Sequence, residues 1–280
     1  MKCFEIDLYS HFGIPRPEGA AGKLTCCVQL TSPEISGHRE RPAVLVLPGG
    51  GYGFVSAREA MPVALRFVGM GYCAFVLRYS IYPFRFPTAL REAAMAMRYI
   101  RENAAAFGIG SDMVAATGFS AGGHLCGTLG MLFDCPEIAD IAPPEVVKPN
   151  ALGLCYPVTI GYEPTHMGSF DALCGEDAAL RRRLSLDECV RSDMPPVFLW
   201  HTRDDGAVPC VGSLILGQRM AEQGVDFAMH IYRHGQHGLS NCDDQVYRAD
   251  CVPDTSPNVP GWIEEEIAFF REIGLRSRDI

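Results

Sequence analysis

The sequence predicts an α/β protein with a mostly parallel, doubly wound sheet that carries helices on both faces. Three observations support this fold class. Short runs that are apolar on both faces recur along the chain, beginning with residues 43–47, and such runs are typical of parallel strands covered by helices. Helical patterns fill the intervals between these runs. The 280 residues, with 48% hydrophobic and 20% charged side chains, suit one large α/β domain.

The elements can be assigned in chain order. Apolar runs at residues 4–8 and 24–30 predict an antiparallel edge of the sheet. The buried strands are expected at residues 43–47, 72–79, 113–119, 151–156, 197–201 and 227–232. Amphipathic patterns predict helices at residues 58–70, 88–107, 121–133, 211–223 and 263–273. Strand and helix alternate at the rhythm that a doubly wound sheet requires.

One segment interrupts this alternation. Residues 159–194 contain glycines and charges, and their helical periodicity is weak. An insertion at this point would lie above the carboxyl ends of the strands, where ligands bind in open α/β sheets. We therefore interpret residues 1–280 as a single domain with a minimal lid formed by this insertion.

Charge and composition argue against several classes of function. The formal net charge of −9 disfavours a nucleic-acid surface, because phosphate binding needs clustered Lys and Arg. The sequence has neither a secretory leader pattern nor an apolar run long enough to span a bilayer, so we expect no membrane partner and a cytoplasmic location. The twelve cysteines include no CxxC pair, and we expect free thiols in a reducing compartment.

The strongest local motif is GxSxG, at Gly118 to Gly122, between a predicted strand and a predicted helix. In that position the motif forms a nucleophile elbow, a sharp turn that exposes the hydroxyl of the central serine, here Ser120. The helix that follows places partial positive charge where an oxyanion would develop. The motif alone is weak, but its place between strand and helix predicts Ser120 as a nucleophile.

A second motif, PGGGY, ends the first parallel strand at residues 48–52. Glycines let backbone N–H groups approach a substrate closely, as an oxyanion hole requires. A flexible turn or a phosphate loop are the alternatives. The phosphate loop is disfavoured because no Gly-Lys-Ser/Thr follows.

An acid and a base are expected after the serine in this fold order. Asp204 and Asp205 follow a buried strand, and Asp205 is our choice for the acid, with the other aspartate in a turn or cap. His237 lies in a loop after the last strand and is expected to be the base, whereas His234 is expected to structure the loop. This prediction rests on the order of the three residues along the chain, Ser120, Asp205 and His237, and on the position of each after a predicted strand.

The remaining histidines give no sign of metal binding. Neither HExxH nor a Cys/His cluster with zinc spacing occurs, so we expect no metal and no other cofactor. We interpret His124, His166 and His201 as packing residues or as supports of the site.

Taken together, these motifs resemble a known group, the bacterial α/β-hydrolases of the carboxylesterase and xylan acetyl esterase type, relatives of the hormone-sensitive-lipase-like esterases. The matching stretches include PGGGYGFVSAREA, GFSAGGHL, FLWHTRDDGAVP and HGQHGLS. The resemblance implies the α/β-hydrolase fold, with Ser120 as nucleophile, Asp205 in the acid position and His237 as base. It implies an oxyanion hole formed by the N–H groups of Gly50, Gly51 and Ala121. Pro48 stands where the group more commonly has histidine.

The sequence therefore predicts a serine carboxylesterase that acts on a small-molecule ester with a short acyl group, in particular acetyl esters of sugars or xylo-oligosaccharides. Tyr52, Phe54 and Pro157 could frame a small pocket or a sugar platform, or could belong to the core. A peptidase or an arylformamidase on the same fold is the first alternative. A non-catalytic ligand-binding module on a hydrolase scaffold is the second. The acyl length, the alcohol and the oligomeric state are not readable from the sequence.

Overall fold

The computed structural model describes residues 1–30, 34, 39–247 and 259–279. Apolar runs between glycine-rich or proline-rich turns form the strands, as their β-branched and aromatic content favours. The strands are β1 (Lys2–Asp7), β2 (Lys23–Val28), β3 (Arg39–Leu47), β4 (Cys73–Arg78), β5 (Ile109–Phe119), β6 (Leu152–Cys155), β7 (Val197–Thr202), β8 (Phe227–Tyr232) and β9 (Arg278–Asp279).

The main sheet has the order β1-β2-β4-β3-β5-β6-β7-β8. Strands β4, β3, β5, β6, β7 and β8 run parallel, whereas β1 and β2 form an antiparallel edge next to β4. The short β9 pairs with the beginning of β3. The predicted fold class, a mostly parallel doubly wound sheet, is confirmed.

Both faces of this sheet are covered. Along β3, Leu45 and Leu47 pack into one hydrophobic cluster, and Val44 and Val46 pack into the other. All four side chains are fully buried. Alternate residues of one strand therefore face opposite cores, which explains the unbroken apolar run in the sequence.

Five of the helices, those that begin at residues 61, 88, 121, 211 and 262, correspond to the amphipathic patterns of the sequence; the described ranges contain eleven α-helices in all. They are α1 (Leu8–Phe12), α2 (Met61–Gly69), α3 (Thr88–Glu102), α4 (Ala104–Phe107), α5 (Ala121–Met131), α6 (Pro144–Val147), α7 (Met167–Cys174), α8 (Ala178–Arg183), α9 (Leu186–Cys189), α10 (Val211–Glu222) and α11 (Trp262–Glu272). None of the helices in the described ranges has the length and apolar composition that a membrane crossing requires.

Two of these helices differ from the sequence prediction. The helix predicted at residues 58–70 begins at Met61, because a proline near its start suits the first turn. The helix predicted at residues 88–107 is interrupted at Asn103. The side-chain amide of Asn103 donates to the carbonyl of Tyr99 at 2.9 Å and so competes with the backbone pattern of the helix.

The insertion predicted as a lid lies between β6 and β7 and contains the short helices α7, α8 and α9. The Leu186 N–H donates to the Thr159 carbonyl at 2.7 Å, which joins the two ends of the insertion. Its action as a lid stays a prediction. The loops after β3, β5, β7 and β8 lie at the carboxyl edge of the parallel strands, and they carry the residues of the candidate site.

Candidate active site

Ser120 occupies a sharp turn between β5 and α5. Its backbone has φ 52° and ψ −119°, a conformation that side chains rarely adopt, and its N–H donates to the Cys155 carbonyl at 3.0 Å. The turn is possible because Gly122 passes close to the end of β3. A Cβ atom at Gly122 would lie 2.1 Å from the carbonyl oxygen of Leu47. The glycine of the motif is thus required by packing, and the strained serine is a typical feature of a functional site.

The three residues predicted as nucleophile, base and acid are in hydrogen-bond contact. Ser120 Oγ lies 2.8 Å from His237 Nε2, and His237 Nδ1 lies 2.7 Å from Asp205 Oδ2. The ring of Tyr156 packs edge-on against the imidazole at 5.2 Å. The Asp205 carboxylate is fully buried, whereas the His237 side chain is 22% exposed. The serine and the imidazole can therefore meet a ligand, and the carboxylate cannot.

Asp205 is held from several sides. Its Oδ1 accepts hydrogen bonds from the N–H groups of Ala207 at 2.9 Å and Val208 at 2.8 Å. Its Oδ2 lies 3.3 Å from Nε2 of the buried His201, in addition to its contact with His237. Burial by itself would raise the pKa of Asp205, but the hydrogen bonds from His201 and His237 outweigh it and hold the pKa well below its usual value. The carboxylate is therefore ionised and fixed in orientation.

The neighbouring aspartate, Asp204, makes a similar contact with a different histidine, outside the site. Asp204 Oδ2 lies 2.7 Å from His234 Nδ1, and Asp204 Oδ1 accepts the Gly235 N–H at 2.8 Å. The hydrogen bond with His234 holds the pKa of Asp204 below its usual value. Of the two aspartates that the sequence offers, Asp205 faces His237, and Asp204 joins the acid loop to the base loop.

The glycine loop, residues 48–56, follows β3 and lies beside the serine turn. Among the described residues, the backbone N–H groups of Gly50, Gly51 and Ala121 have no acceptor. Gly50 has φ 130°, and a Cβ atom there would lie 2.1 Å from the carbonyl oxygen of Phe54. The loop is therefore tightly closed on itself, and its N–H groups remain available to a ligand oxygen.

A buried carboxylate that the sequence analysis missed supports this loop. Glu59 is only 3% exposed, and its Oε2 accepts the Gly49 N–H at 2.8 Å. Its Oε1 accepts the Tyr156 hydroxyl at 2.7 Å, and the same hydroxyl accepts the Ser240 N–H at 2.9 Å. Glu59 thus connects the glycine loop to the loop that carries His237. Glu59 lies in the matching stretch PGGGYGFVSAREA, but the stretch does not reveal this role, which depends on contacts between residues up to 97 positions apart.

A cavity of about 350 Å³ opens above Ser120 and His237. Gly50, Gly51 and Phe54 line it, and their roles in binding stay predictions. Tyr52 and Pro157, the other two residues proposed to frame a pocket, lie elsewhere. Both are buried.

The Tyr52 hydroxyl points into the core, where it lies 2.8 Å from Nδ1 of His124. The backbone of Tyr52 has a positive φ of 56°, and its side chain is buried. The Nε2 of His124 lies 2.8 Å from the Leu184 carbonyl, and burial lowers the pKa of His124 to about 4. Tyr52 and His124 therefore form a neutral buried pair that packs α5 against the insertion.

His166 has a place that the sequence analysis did not predict. This residue of the insertion lines the cavity, and its Nδ1 lies 2.8 Å from Ser169 Oγ. Its Cε1 lies 3.5 Å from where a Cβ at Gly51 would stand, so the ring is next to the glycine loop. Arg58 also lines the cavity. Within the described ranges, no group of three or more His, Cys, Asp or Glu side chains is arranged to hold a metal ion.

Comparison with known proteins assigns the family. The model of the prolyl oligopeptidase family matches residues 93–252, more than half of the chain, and the BD-FAE model matches residues 29–143. An α/β-hydrolase from a Medee basin deep-sea metagenome library is 32% identical, with a TM-score of 0.76 over 98% of each chain. The chain is an α/β-hydrolase of the prolyl oligopeptidase family.

Other relatives of this α/β-hydrolase have names that refer to esters. An acetyl ester-xyloside bifunctional hydrolase from Caldicellulosiruptor lactoaceticus is 33% identical, with a TM-score of 0.82 over 98% of this chain and 97% of that one. The acetylxylan esterase of Xylanibacter ruminicola is 29% identical over 205 residues, which are 70% of this chain and 41% of that protein. The chain spans between a third and about half of the length of the curated relatives it matches.

Proposed function

We propose that this α/β-hydrolase is a serine carboxylesterase that removes short acyl groups, with Ser120 as nucleophile, His237 as general base and Asp205 as the acid that orients the base. One observation carries the proposal. The Ser120 hydroxyl, hydrogen-bonded through His237 to a buried carboxylate, borders a cavity that the glycine loop also lines. This arrangement has the parts that acyl transfer requires.

In the first half of the reaction, His237 Nε2 accepts the proton of Ser120 Oγ while that oxygen attacks the ester carbonyl. The negative charge that forms on the carbonyl oxygen is stabilised by N–H groups of Gly50, Gly51 and Ala121. The ionised Asp205 stabilises the imidazolium. His237 then donates its proton to the leaving alcohol, and an acyl-enzyme remains on Ser120.

In the second half, a water molecule gives its proton to His237 Nε2 and attacks the acyl carbon. The same N–H groups stabilise the second oxyanion. The bond to Ser120 Oγ breaks, the serine recovers its proton from His237, and the carboxylic acid leaves. The protein alone supplies every group in this cycle, with no cofactor.

The substrate class is proposed from the cavity and the relatives. A volume of about 350 Å³ lies at the low end of the roughly 300–1,000 Å³ of small-molecule sites, which favours a short acyl group. The names of two relatives refer to acetylxylan and to an acetyl ester-xyloside. We therefore propose acetyl esters of sugars or xylo-oligosaccharides. A cytoplasmic location is consistent with the free thiols of all eleven described cysteines.

The test compares p-nitrophenyl acetate, butyrate and octanoate as substrates of the parent protein and of Ser120→Ala. We expect acetate to be preferred and Ser120→Ala to lower kcat by at least about 10⁴-fold. Circular dichroism of the variant checks that its fold is retained. Turnover that survives the loss of the serine, or no turnover on any ester, would contradict the proposal.

Amide hydrolysis is a second candidate, favoured by the match of residues 93–252 to the prolyl oligopeptidase family. A peptidase usually needs an acidic group to anchor the substrate amine, and the buried carboxylate near the cavity, Glu59, is already hydrogen-bonded to Gly49 and Tyr156. Short peptide p-nitroanilides with and without a free amino terminus test this candidate. Ser120-dependent release of nitroaniline at a rate above that of the acetate ester would favour it.

A further inference from the structure

A second cavity adjoins the catalytic cavity on the side of the antiparallel edge of the sheet. Its volume is about 600 Å³, which lies within the range of small-molecule sites. Its walls come from the glycine loop, the end of β4 and the loop at residues 79–84. Phe54 and Ser56 line both cavities. We call the second cavity the edge groove.

Two exposed aromatic rings border the edge groove. Phe54 is 62% exposed and Tyr82 is 57% exposed. By contrast, Tyr52 and Tyr79 of the same two loops are buried in the core. Aromatic surface left open beside a cavity is typical of a binding site, because burying it against a ligand is favourable.

Both rings are carried by backbone that is already ordered. The Tyr82 N–H donates to the Tyr52 carbonyl at 2.8 Å, which joins the two loops that flank the groove. The Phe54 N–H donates to the Gly50 carbonyl at 3.1 Å. The two loops are therefore held in place before a ligand binds, so binding need not order their backbone.

The rim of the groove is polar and carries both signs of charge. Arg78, at the end of β4, is exposed, and within the described ranges no carboxylate forms an ion pair with it. Glu5 contacts the half-buried Lys23 at 3.2 Å, and Thr25 and Ser56, which also line the groove, carry hydroxyl groups. A long acyl chain would leave Arg78 and the hydroxyl groups without partners, whereas a ligand rich in hydroxyls can bond to them.

We propose that the edge groove binds the saccharide part of the ester substrate, with sugar rings packed against Phe54 and Tyr82. The inference rests on the proposed esterase function. A pyranose presents a face of C–H groups to an aromatic ring, while its hydroxyls project sideways towards groups such as Arg78 and Glu5. The acetyl group then enters the catalytic cavity past Phe54.

The kinetic test uses acetylated xylotriose and p-nitrophenyl acetate, whose leaving group carries no sugar. We expect Tyr82→Ala to lower kcat/KM for acetylated xylotriose by about tenfold, mostly through KM. This loss of kcat/KM for acetylated xylotriose should be at least about fivefold greater than the loss of kcat/KM for p-nitrophenyl acetate. Leu214→Ala, which removes another exposed apolar side chain on α10, is the matched control and should change neither value. Equal losses on both substrates would mean that Tyr82 supports the loop, and would overturn the proposal.

The binding test is independent of turnover. Unacetylated xylotriose is titrated calorimetrically into Ser120→Ala and into Ser120→Ala combined with Tyr82→Ala. We expect about tenfold weaker binding to the second protein. Absence of binding to Ser120→Ala, or equal affinity for both proteins, would refute the proposal that the edge groove binds the saccharide. If that result occurs together with Ser120-dependent hydrolysis of p-nitrophenyl acetate, the groove proposal fails and the esterase function stands. If xylotriose binds as expected but no ester is hydrolysed, the esterase function fails and the groove proposal stands.

Discussion

At the scale of single residues, Asp205 shows how a candidate acid is selected. Two backbone N–H groups hold one of its oxygens, and His237 and His201 approach the other. These contacts outweigh the effect of burial on its pKa, so the carboxylate stays ionised across the pH range of an assay. Asp204, one residue earlier, contacts His234 instead.

Replacement of Asp205 tests this selection. We expect Asp205→Asn to lower kcat for p-nitrophenyl acetate by about 10⁴-fold, because an amide cannot stabilise the imidazolium and favours the wrong tautomer of His237. Asp204→Asn is the matched control, and its loss should be smaller by at least about 10²-fold. Steady-state rates of both variants, corrected for folded protein, give the comparison. Similar losses in the two variants would show that the acid was wrongly assigned.

At the scale of elements, the site depends on contacts between loops that belong to different strands. Glu59 joins the glycine loop after β3 to Tyr156 after β6, and Tyr156 in turn accepts a hydrogen bond from Ser240 in the loop after β8. The Ser240 hydroxyl also donates to the Arg58 carbonyl at 2.6 Å. Movement of one loop would therefore displace the candidate oxyanion donors relative to His237.

We expect Glu59→Gln to lower kcat for p-nitrophenyl acetate by roughly 10- to 100-fold, because the amide cannot accept both hydrogen bonds. Glu92→Gln is the control. Glu92 is a fully buried carboxylate that accepts hydrogen bonds from Tyr9 and Ser80, away from the reacting groups. This control should lower the melting temperature and leave kcat per folded molecule unchanged. Active-site titration with a phosphonate counts the sites in each preparation. Equal kcat values for Glu59→Gln and the parent would contradict the role of Glu59 in positioning the glycine loop.

At the scale of the whole molecule, two buried ionisable groups couple the fold to pH in opposite directions. Burial raises the pKa of Glu266 on α11 from an ordinary value of 4.5 to about 8, although its Oε1 accepts the Thr117 hydroxyl at 2.5 Å. Between pH 4.5 and 8 the folded state keeps this proton while the unfolded state releases it. The stability that the protonated carboxyl group gives is therefore lost as pH rises through this interval. Burial lowers the pKa of His124 from 6.5 to about 4, so its contribution is lost as pH falls through that interval.

The interval between pH 6.5 and 8 separates the two effects, because there His124 is neutral in the folded state and mostly neutral in the unfolded state. We expect the free energy of unfolding of the parent to decrease with pH in this interval by up to about 1.4 kcal/mol per pH unit. Glu266→Gln should reduce the slope and be more stable than the parent at pH 8. Urea unfolding at several pH values measures both quantities. A slope that is the same in the variant would show that Glu266 does not titrate in this interval.

The fold class and the chain order of the three candidate catalytic residues could be predicted from the sequence alone. Runs apolar on both faces required a covered parallel sheet, because β3 places alternate residues in two separate cores. The loops after those strands had to meet at one edge, so Ser120, Asp205 and His237 could be grouped although they are distant in the chain. Their direct contact in the structure agrees with that grouping, and their catalytic roles stay a proposal.

Which side chains face the cavity depends on packing between distant parts of the chain, so the sequence could not predict it. Local sequence does not distinguish an aromatic ring that turns into the core from one that stays outside. Tyr52 and Phe54, two residues apart, are an example, because Tyr52 is buried and Phe54 is exposed. Glu59 lies within the matching stretch PGGGYGFVSAREA, but neither that stretch nor any motif at His166 or the edge groove reveals the contacts made there. Their positions depend on contacts between loops far apart in the chain, and the direction of a side chain there follows from packing and backbone angles that no short stretch of sequence specifies.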